Sequence, residues 1–268
     1  MFFPLNYAEQ LRFIFMKSIH LLSKKRFLPF FLTQFLGALN DNLYKNGLTV
    51  FIAFQSVAIT QAESNSLVNI AAGLFILPFF LFSTIAGQLA DKYEKSLLIS
   101  RIKLLEIIIM LFAGLAFYLQ SMSMLIGLLF LMGSQSALFG PVKYSLLPQV
   151  LTSDELIGGN AMVEFGTFIA ILLGLIAGVL ITSIEDTGTM WLSIAVLIMA
   201  VAGYLTSKEI PAAKANAPDL KIDFNLPRQF VKSFHHAREK VSVFYSIMGI
   251  SWFWFIGITY VTQLPNFV

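Results

Sequence analysis

Between Gly37 and Gly47 the chain reads GALNDNLYKNG, which sets Asn40, Asp41, Asn42, Lys45 and Asn46 between the apolar stretches RFLPFFLTQFL and LTVFIAF. One carboxylate, one ammonium and three amides offer both signs of charge together with neutral donors and acceptors, the groups needed to replace water around a strongly hydrated or zwitterionic ligand. Asp41 and Lys45 are four residues apart, in the order that favours an intrahelical ion pair. Two readings follow: a pair that only neutralises itself, or the lining of a polar site to which the amides contribute.

Two further stretches carry chemistry. GQLADKYEKSLLISR, from Gly87 to Arg101, holds Asp91 among Lys92, Lys95 and Arg101. Here Gly87 would allow close helix approach, and Asp91 is placed to accept hydrogen bonds from a helix N-terminus. FGPVKYSLLPQVLTSDELIGGNAMVEFGT, from Phe139 to Thr167, holds Lys143, Tyr144 and Glu164. His235 and His236 stand beside Arg238 and Lys240 without other ligands, a solvated basic face and not a metal site. No catalytic set, metal or cofactor is expected.

The elements that must position these residues follow from composition. The 268 residues are 57% hydrophobic and 12% charged, with mean hydropathy +0.77, far from the roughly 25% charge of soluble domains. Seven stretches are long enough to cross a hydrocarbon core of about 30 Å as helices. They run approximately Phe27–Phe54, Leu67–Leu89, Leu97–Leu119, Met122–Leu146, Ala161–Ser183, Met190–Thr206 and Val241–Gln263. At 1.5 Å per residue from Phe27, Asp41 lies about 20 Å along its helix, near mid-membrane. A carboxylate there costs roughly 2.5 to 3.5 kcal/mol on insertion scales, so it should face a cavity or a partner. Glu106 in span three fits either. Gly166, Ala170, Gly174 and Gly178 recur every four residues in span five and read as a helix-packing stripe.

Lysine and arginine distribution sets the expected orientation. Lys24, Lys25 and Arg26 precede span one, Lys92, Lys95, Arg101 and Lys103 cluster about the second-to-third turn, and Lys143 ends span four, whereas QSVAITQAESN, YLQSMSM and SIEDTGTM contain no Lys or Arg. The N-terminus is therefore expected to be cytoplasmic, with Lys45 the one basic residue away from that side. The basic pI near 9.0 reflects this loop bias, with no aromatic-interleaved patch for nucleic acid. Residues 1–26 are too interrupted by charge for a signal peptide. Leu5, Ala8, Leu11, Phe15, Ile19 and Leu22 recur there at helical spacing, as in an interfacial helix. The expected organisation is this segment, a six-helix unit over 27–206, a basic cytoplasmic linker over 207–240 and a seventh helix over 241–268. The absence of cysteine excludes a disulfide framework.

Six spans, a long basic loop and a seventh span are the layout of a major facilitator transporter cut soon after its midpoint. Such transporters join two six-helix halves about a central cavity. The segment from Gly87 resembles that superfamily's loop signature G-x-L-A-D-R-x-G-R-[KR]. Gly87, Leu89, Ala90 and Asp91 match, while Glu94 replaces the glycine and Ser96 the final basic residue. Asn40-Asp41-Asn42, Pro141-Val142-Lys143-Tyr144 and Asn160-Ala161-Met162-Val163-Glu164 together resemble elements of the superfamily's lysophospholipid transporter branch.

The resemblance implies an all-α integral membrane protein, the N-terminal six-helix bundle plus the first helix of the second half. It implies a multi-pass protein of the bacterial inner membrane that moves lysophospholipid between leaflets for reacylation by alternating access, and is not itself an enzyme. Asn40, Asp41, Asn42, Lys45, Lys143, Tyr144 and Glu164 would bind substrate, and Gly87, Asp91, Lys92 and Arg101 would form the gating loop. Some bacterial members are fused to an acyltransferase and acyl-carrier-protein synthetase, so a fused or associated acyltransferase joins the bilayer and the lysophospholipid as an implied partner. Span seven lacks the basic residue that some relatives place there. Competing readings are a facilitator for another polar solute or drug, and a non-transporting anchor for such an enzyme.

Overall fold

The computed structural model describes residues 18–55 and 61–263, and every regular element among them is helical. The interfacial helix expected near the N-terminus falls largely on residues 1–17, outside the described residues. After a short 3-10 turn (Leu21–Ser23), six long helices follow: α1 (Leu28–Val50), α2 (Gln61–Lys92), α3 (Lys95–Tyr118), α4 (Met122–Val150), α5 (Leu156–Thr182) and α6 (Gly188–Lys208). A π-turn, Phe51–Gln55, extends α1. One compact unit ends at Ile222, and a second, from Asp223, holds α7 (Leu226–Glu239) and α8 (Val241–Gln263).

Local chemistry marks the helix ends. Pro29 occupies the first turn of α1, where no backbone donor is needed. Glu94 caps α3 by accepting from the Ser96 and Leu97 amides. Gln120 and Asp186 take positive φ, 50° and 57°, in the tight turns after α3 and α5. Pro78 in α2 and Pro141 and Pro148 in α4 sit inside continuous helices, a placement common in membrane helices because neighbouring groups re-satisfy the freed carbonyls.

Helices α2, α4, α5 and α6 are individually long and apolar enough to span a membrane, and the α7–α8 pair, bent by 115°, qualifies if taken as one span. Helices α1 and α3 have the length but interrupt their apolar runs with Asp41 and Lys45, and with Arg101, Lys103 and Glu106. Those two helices, together with Gln135 and Ser136 of α4, supply the polar layer of the core.

Helix α1 packs against α5 and α6, α2 against α4, and α3 against α4 and α6. The small stripe of α5 makes the first contact close: Gly166, Ala170, Gly174 and Gly178 are all buried. A Cβ at Gly174 would stand 2.5 Å from the Leu39 carbonyl and 3.0 Å from the Leu43 amide, so only glycine lets the backbones approach. Two apolar clusters form the core. One gathers Leu43, Tyr44, Leu48, Ile109, Leu125 and Leu192; the other Phe27, Phe30, Ile99, Val142, Leu146 and Ile210. Along α1, α3 and α4 the polar residues fall between them.

Candidate functional site

The polar layer is built by three helices. Asn40 of α1 is fully buried and donates to Glu106 Oε1 of α3 at 2.7 Å. Lys103, one turn before Glu106, places its ammonium 2.6 Å from Glu106 Oε2, and both side chains are 1% exposed. Gln135 of α4 donates to the same oxygen at 3.2 Å. Glu106 thus receives three donors, the condition for tolerating a charge away from water. The next residue on α4, Ser136, stands 2.7 Å from Asp41 Oδ2 and 3.0 Å from Gln135 Oε1. A hydroxyl has one hydrogen, so it serves one of these acceptors at a time.

Asp41 faces a cavity of about 190 Å³. Gln34, Gly37, Lys103, Ser136, Lys143 and Thr167 line it with Asp41, and Phe79 and Phe139 supply apolar wall. Among the described residues Ser136 is the only hydrogen-bond donor to Asp41, which leaves most of the acceptor capacity of a carboxylate open. On the same cavity wall, Lys143 is 3.8 Å from Glu164 Oε1, beyond hydrogen-bond distance. Tyr144 holds that same oxygen at 2.5 Å, and the Lys143 ammonium lies 4.7 Å from the centre of the Tyr144 ring.

Asp41 and Lys143 therefore share one cavity, with Tyr144 and Glu164 beside Lys143 but off the lining. The remaining expected site residues are placed differently. Asn40 is buried against Glu106. Asn42 donates to the Ala38 carbonyl and lies against the α5 stripe. Lys45 makes no ion pair with Asp41: it donates to Asn42 Oδ1 at 3.1 Å and lies 5.4 Å from the Phe75 ring centre. The self-neutralising reading of Asp41 and Lys45 is not what forms.

Lys103, Gln135 and Ser136 were not expected in the site. Lys103, grouped by sequence with the basic second-to-third turn, lies eight residues into α3 and is buried. Its spacing from Glu106, three residues on one helix face, was the available signal. Glu106 makes helix contacts, with Asn40 and Gln135 as partners that sequence spacing does not show.

The basic loop forms a second constellation. Asp91 Oδ1 accepts from Asn216 Nδ2 at 2.9 Å, and its carbonyl accepts from the Ala217 amide at 2.8 Å. Lys95 is fully buried, and donates to the Lys214 carbonyl at 2.7 Å and to Asn216 Oδ1 at 3.1 Å. Gln149 of α4 reaches the same two acceptors. Glu94, which replaces the signature glycine, accepts from the Ala213 amide at 2.6 Å. Burial works to raise the Glu94 pKa, but the amides of Ala213, Leu97 and Ser96 outweigh it and hold the carboxyl below its ordinary range. Residues 210–217 thus form a strap on the loop, seated by buried Ile210 and Ala213. Lys92 lies 5.9 Å from the Tyr93 ring centre and Arg101 is exposed. Gly87 meets no close neighbour: a Cβ there would have nothing within 4 Å, contrary to the close approach expected of it.

The loop between α4 and α5 is closed by charge. Glu155 receives Lys24 at 2.5 Å and Arg26 at 2.7 Å, and Arg26 also donates to the Val150 carbonyl. The Lys24 ammonium, and after it the Thr152 amide, pull the Glu155 carboxyl down to about 2.

Over residues 30–268 the chain matches the Major Facilitator Superfamily. It is 25% identical over 236 residues to the lysophospholipid transporter LplT of Cronobacter sakazakii, covering 84% of this chain and 53% of that protein. It is 26% identical over 232 residues to the protein of the same name in Enterobacter sp. strain 638, and 25% over 238 residues to that of Escherichia coli, with the same coverage in both cases. The chain spans about half the length of these curated relatives.

Proposed function

This chain belongs to the Major Facilitator Superfamily, and on that premise we propose that it forms one wall of a transporter that moves lysophospholipid across the bacterial inner membrane by alternating access. One observation carries the reading: Asp41, with a carboxylate engaged by a single hydroxyl, and Lys143, whose ammonium stands 3.8 Å from Glu164 and outside hydrogen-bond distance of it, line the same cavity. A zwitterionic headgroup supplies an ammonium for Asp41 and a phosphate for Lys143, each a charge-assisted contact. The names carried by the relatives support the same substrate class. Ligand pockets for drug-sized molecules run from about 300 Å³ upward, so a cavity of about 190 Å³ suits a headgroup and leaves the acyl chain against apolar surface. Tyr144 and Glu164 act as positioning residues for Lys143, and Asn40 acts through Glu106.

The basic loop and its strap would form the cytoplasmic gate, with Asp91 as its exchanging acceptor. On this reading the N-terminus is cytoplasmic, and an acyltransferase, fused or associated, consumes the product.

Uptake of labelled lysophosphatidylethanolamine into spheroplasts tests the proposal. Asp41→Ala and Lys143→Ala, each at wild-type membrane abundance, should abolish most uptake. Normal uptake by both variants would overturn the headgroup site, and is the result expected of a membrane anchor.

A further inference from the structure

We propose that α7 is a membrane-surface helix that binds the anionic headgroups of the leaflet α8 enters. The residues concerned all belong to the second compact unit, and none of them lines the cavity. The helix starts cleanly: Asn225 caps it by accepting from the Arg228 amide at 3.1 Å, and Pro227 sits in its first turn. Asp223 fixes the approach by accepting from the Asn225 amide and from Gln229 Nε2.

At 100° per residue, Leu226, Phe230, Phe234 and Ala237 fall within an arc of about 80°, while Arg228, Lys232, His235 and His236 lie opposite. Phe230 and Phe234 are 53% and 45% exposed, and no residue of the helix is buried. Arg228, Lys232, Arg238 and Lys240 outnumber Glu239. Such a helix, apolar on one face and basic on the other, rests in the plane of an anionic interface. Basic residues near that surface add to its hold on the lipid.

The bend fixes which way the apolar face looks. Helices α7 and α8 are bent by 115° across Lys240, so when α8 crosses the membrane α7 runs close to its plane. The Phe234 ring packs edge-on against Phe244 in the first turns of α8, 6.2 Å between centres. The apolar arc therefore opens on the side toward which α8 projects, the hydrocarbon side. The Arg238 guanidinium lies within 6 Å of both rings, at 5.5 and 5.7 Å, where a long stem can rise to the phosphate level. Burying α7 fully as a re-entrant segment would place Arg228, Lys232 and Arg238 in hydrocarbon.

The chain has no cysteine, so single nitroxide labels can be introduced at Phe230→Cys and, separately, Lys232→Cys. The full chain is reconstituted in phosphatidylcholine vesicles with or without phosphatidylglycerol. With phosphatidylglycerol present, the label at 230 should be several-fold less accessible to a water-soluble nickel chelate, and more accessible to oxygen, than the label at 232. Arg228→Gln combined with Arg238→Gln should restore nickel access at 230 toward its value in phosphatidylcholine alone. Equal nickel access at 230 and 232 would identify a solvated linker and overturn the proposal. Shielding of 230 from both reagents would identify docking on protein, and equal immersion with and without phosphatidylglycerol would remove the anionic partner; either result also overturns it.

Discussion

Gly37 of α1 and Lys103 of α3 compete for one volume: a Cβ built on Gly37 would collide with the Lys103 ammonium. The end of a lysine is ordinarily free to move aside. Here it is held 2.6 Å from Glu106 in a site where both side chains are 1% exposed, so it can yield only by leaving its counter-ion. A glycine on one helix thereby conditions an ion pair within another.

Gly37→Ala should lower the melting temperature of the detergent-solubilised protein by an amount equivalent to about 1–3 kcal/mol, the usual cost of overpacking. In combination with Lys103→Met the penalty of Gly37→Ala should shrink, since the flexible thioether can withdraw. An equal penalty in both backgrounds would mean that Lys103 is not what Gly37 accommodates.

Removing one member of the pair should cost more than removing both. Lys103→Met and Glu106→Leu singly each strand a buried charge, at about 3–5 kcal/mol, whereas the double substitution leaves Asn40 and Gln135 with unmet amides only. A double-mutant cycle on thermal unfolding reads this directly. Additive single losses would show that the two charges are not coupled.

Asn216 is the hub of the strap, bonded to Asp91, Lys95 and Gln149. Asn216→Ala should free residues 210–217 and speed tryptic cleavage after Lys214, while the thermal stability of the six-helix unit changes little. Asp91→Asn keeps an acceptor for Asn216 and should accelerate cleavage less. Unchanged cleavage in Asn216→Ala would mean that Ile210, Ala213 and the backbone bonds hold the strap without it.

The clamp of Lys24 and Arg26 on Glu155 should make stability depend on acidity. The folded carboxyl titrates at about 2 against an ordinary value of 4.5. Its contribution is then complete above about 4.5 and is lost as pH falls through that value toward 2. Melting temperatures of the wild type and of Glu155→Gln should differ by a constant amount above this window and converge within it. A gap that persists at the acid end would assign the loss to hydrogen-bond geometry and not to charge.

Much of the architecture is legible in the sequence. Apolar runs of membrane length can satisfy their backbone groups only as helices, so the long helices and their order follow from hydropathy. The α5 stripe follows from four-residue spacing, because it is a property of a single helix. Lys143, Tyr144 and Glu164 were also grouped, through the joint spacing of recognisable motifs. What the sequence did not contain was the pairing between helices. Whether Asp41 joins Lys45 or opens to a cavity depends on where α4 brings Ser136, since one turn of α1 allows both. Lysine near a helix end usually marks topology, and the burial of Lys103 is tolerable because Glu106 pairs with it in a space that Gly37 leaves open, while Asn40 and Gln135 of neighbouring helices hold Glu106. Asn216 and Asp91 are 125 residues apart, a separation at which no local period speaks. Residues 226–239 looked like linker because their charges and Pro227 dilute the apolar signal, although Leu226, Phe230 and Phe234 already kept a four-residue spacing. Local periodicity determined the helices; long-range packing, which decides which polar groups find partners away from water, determined the site.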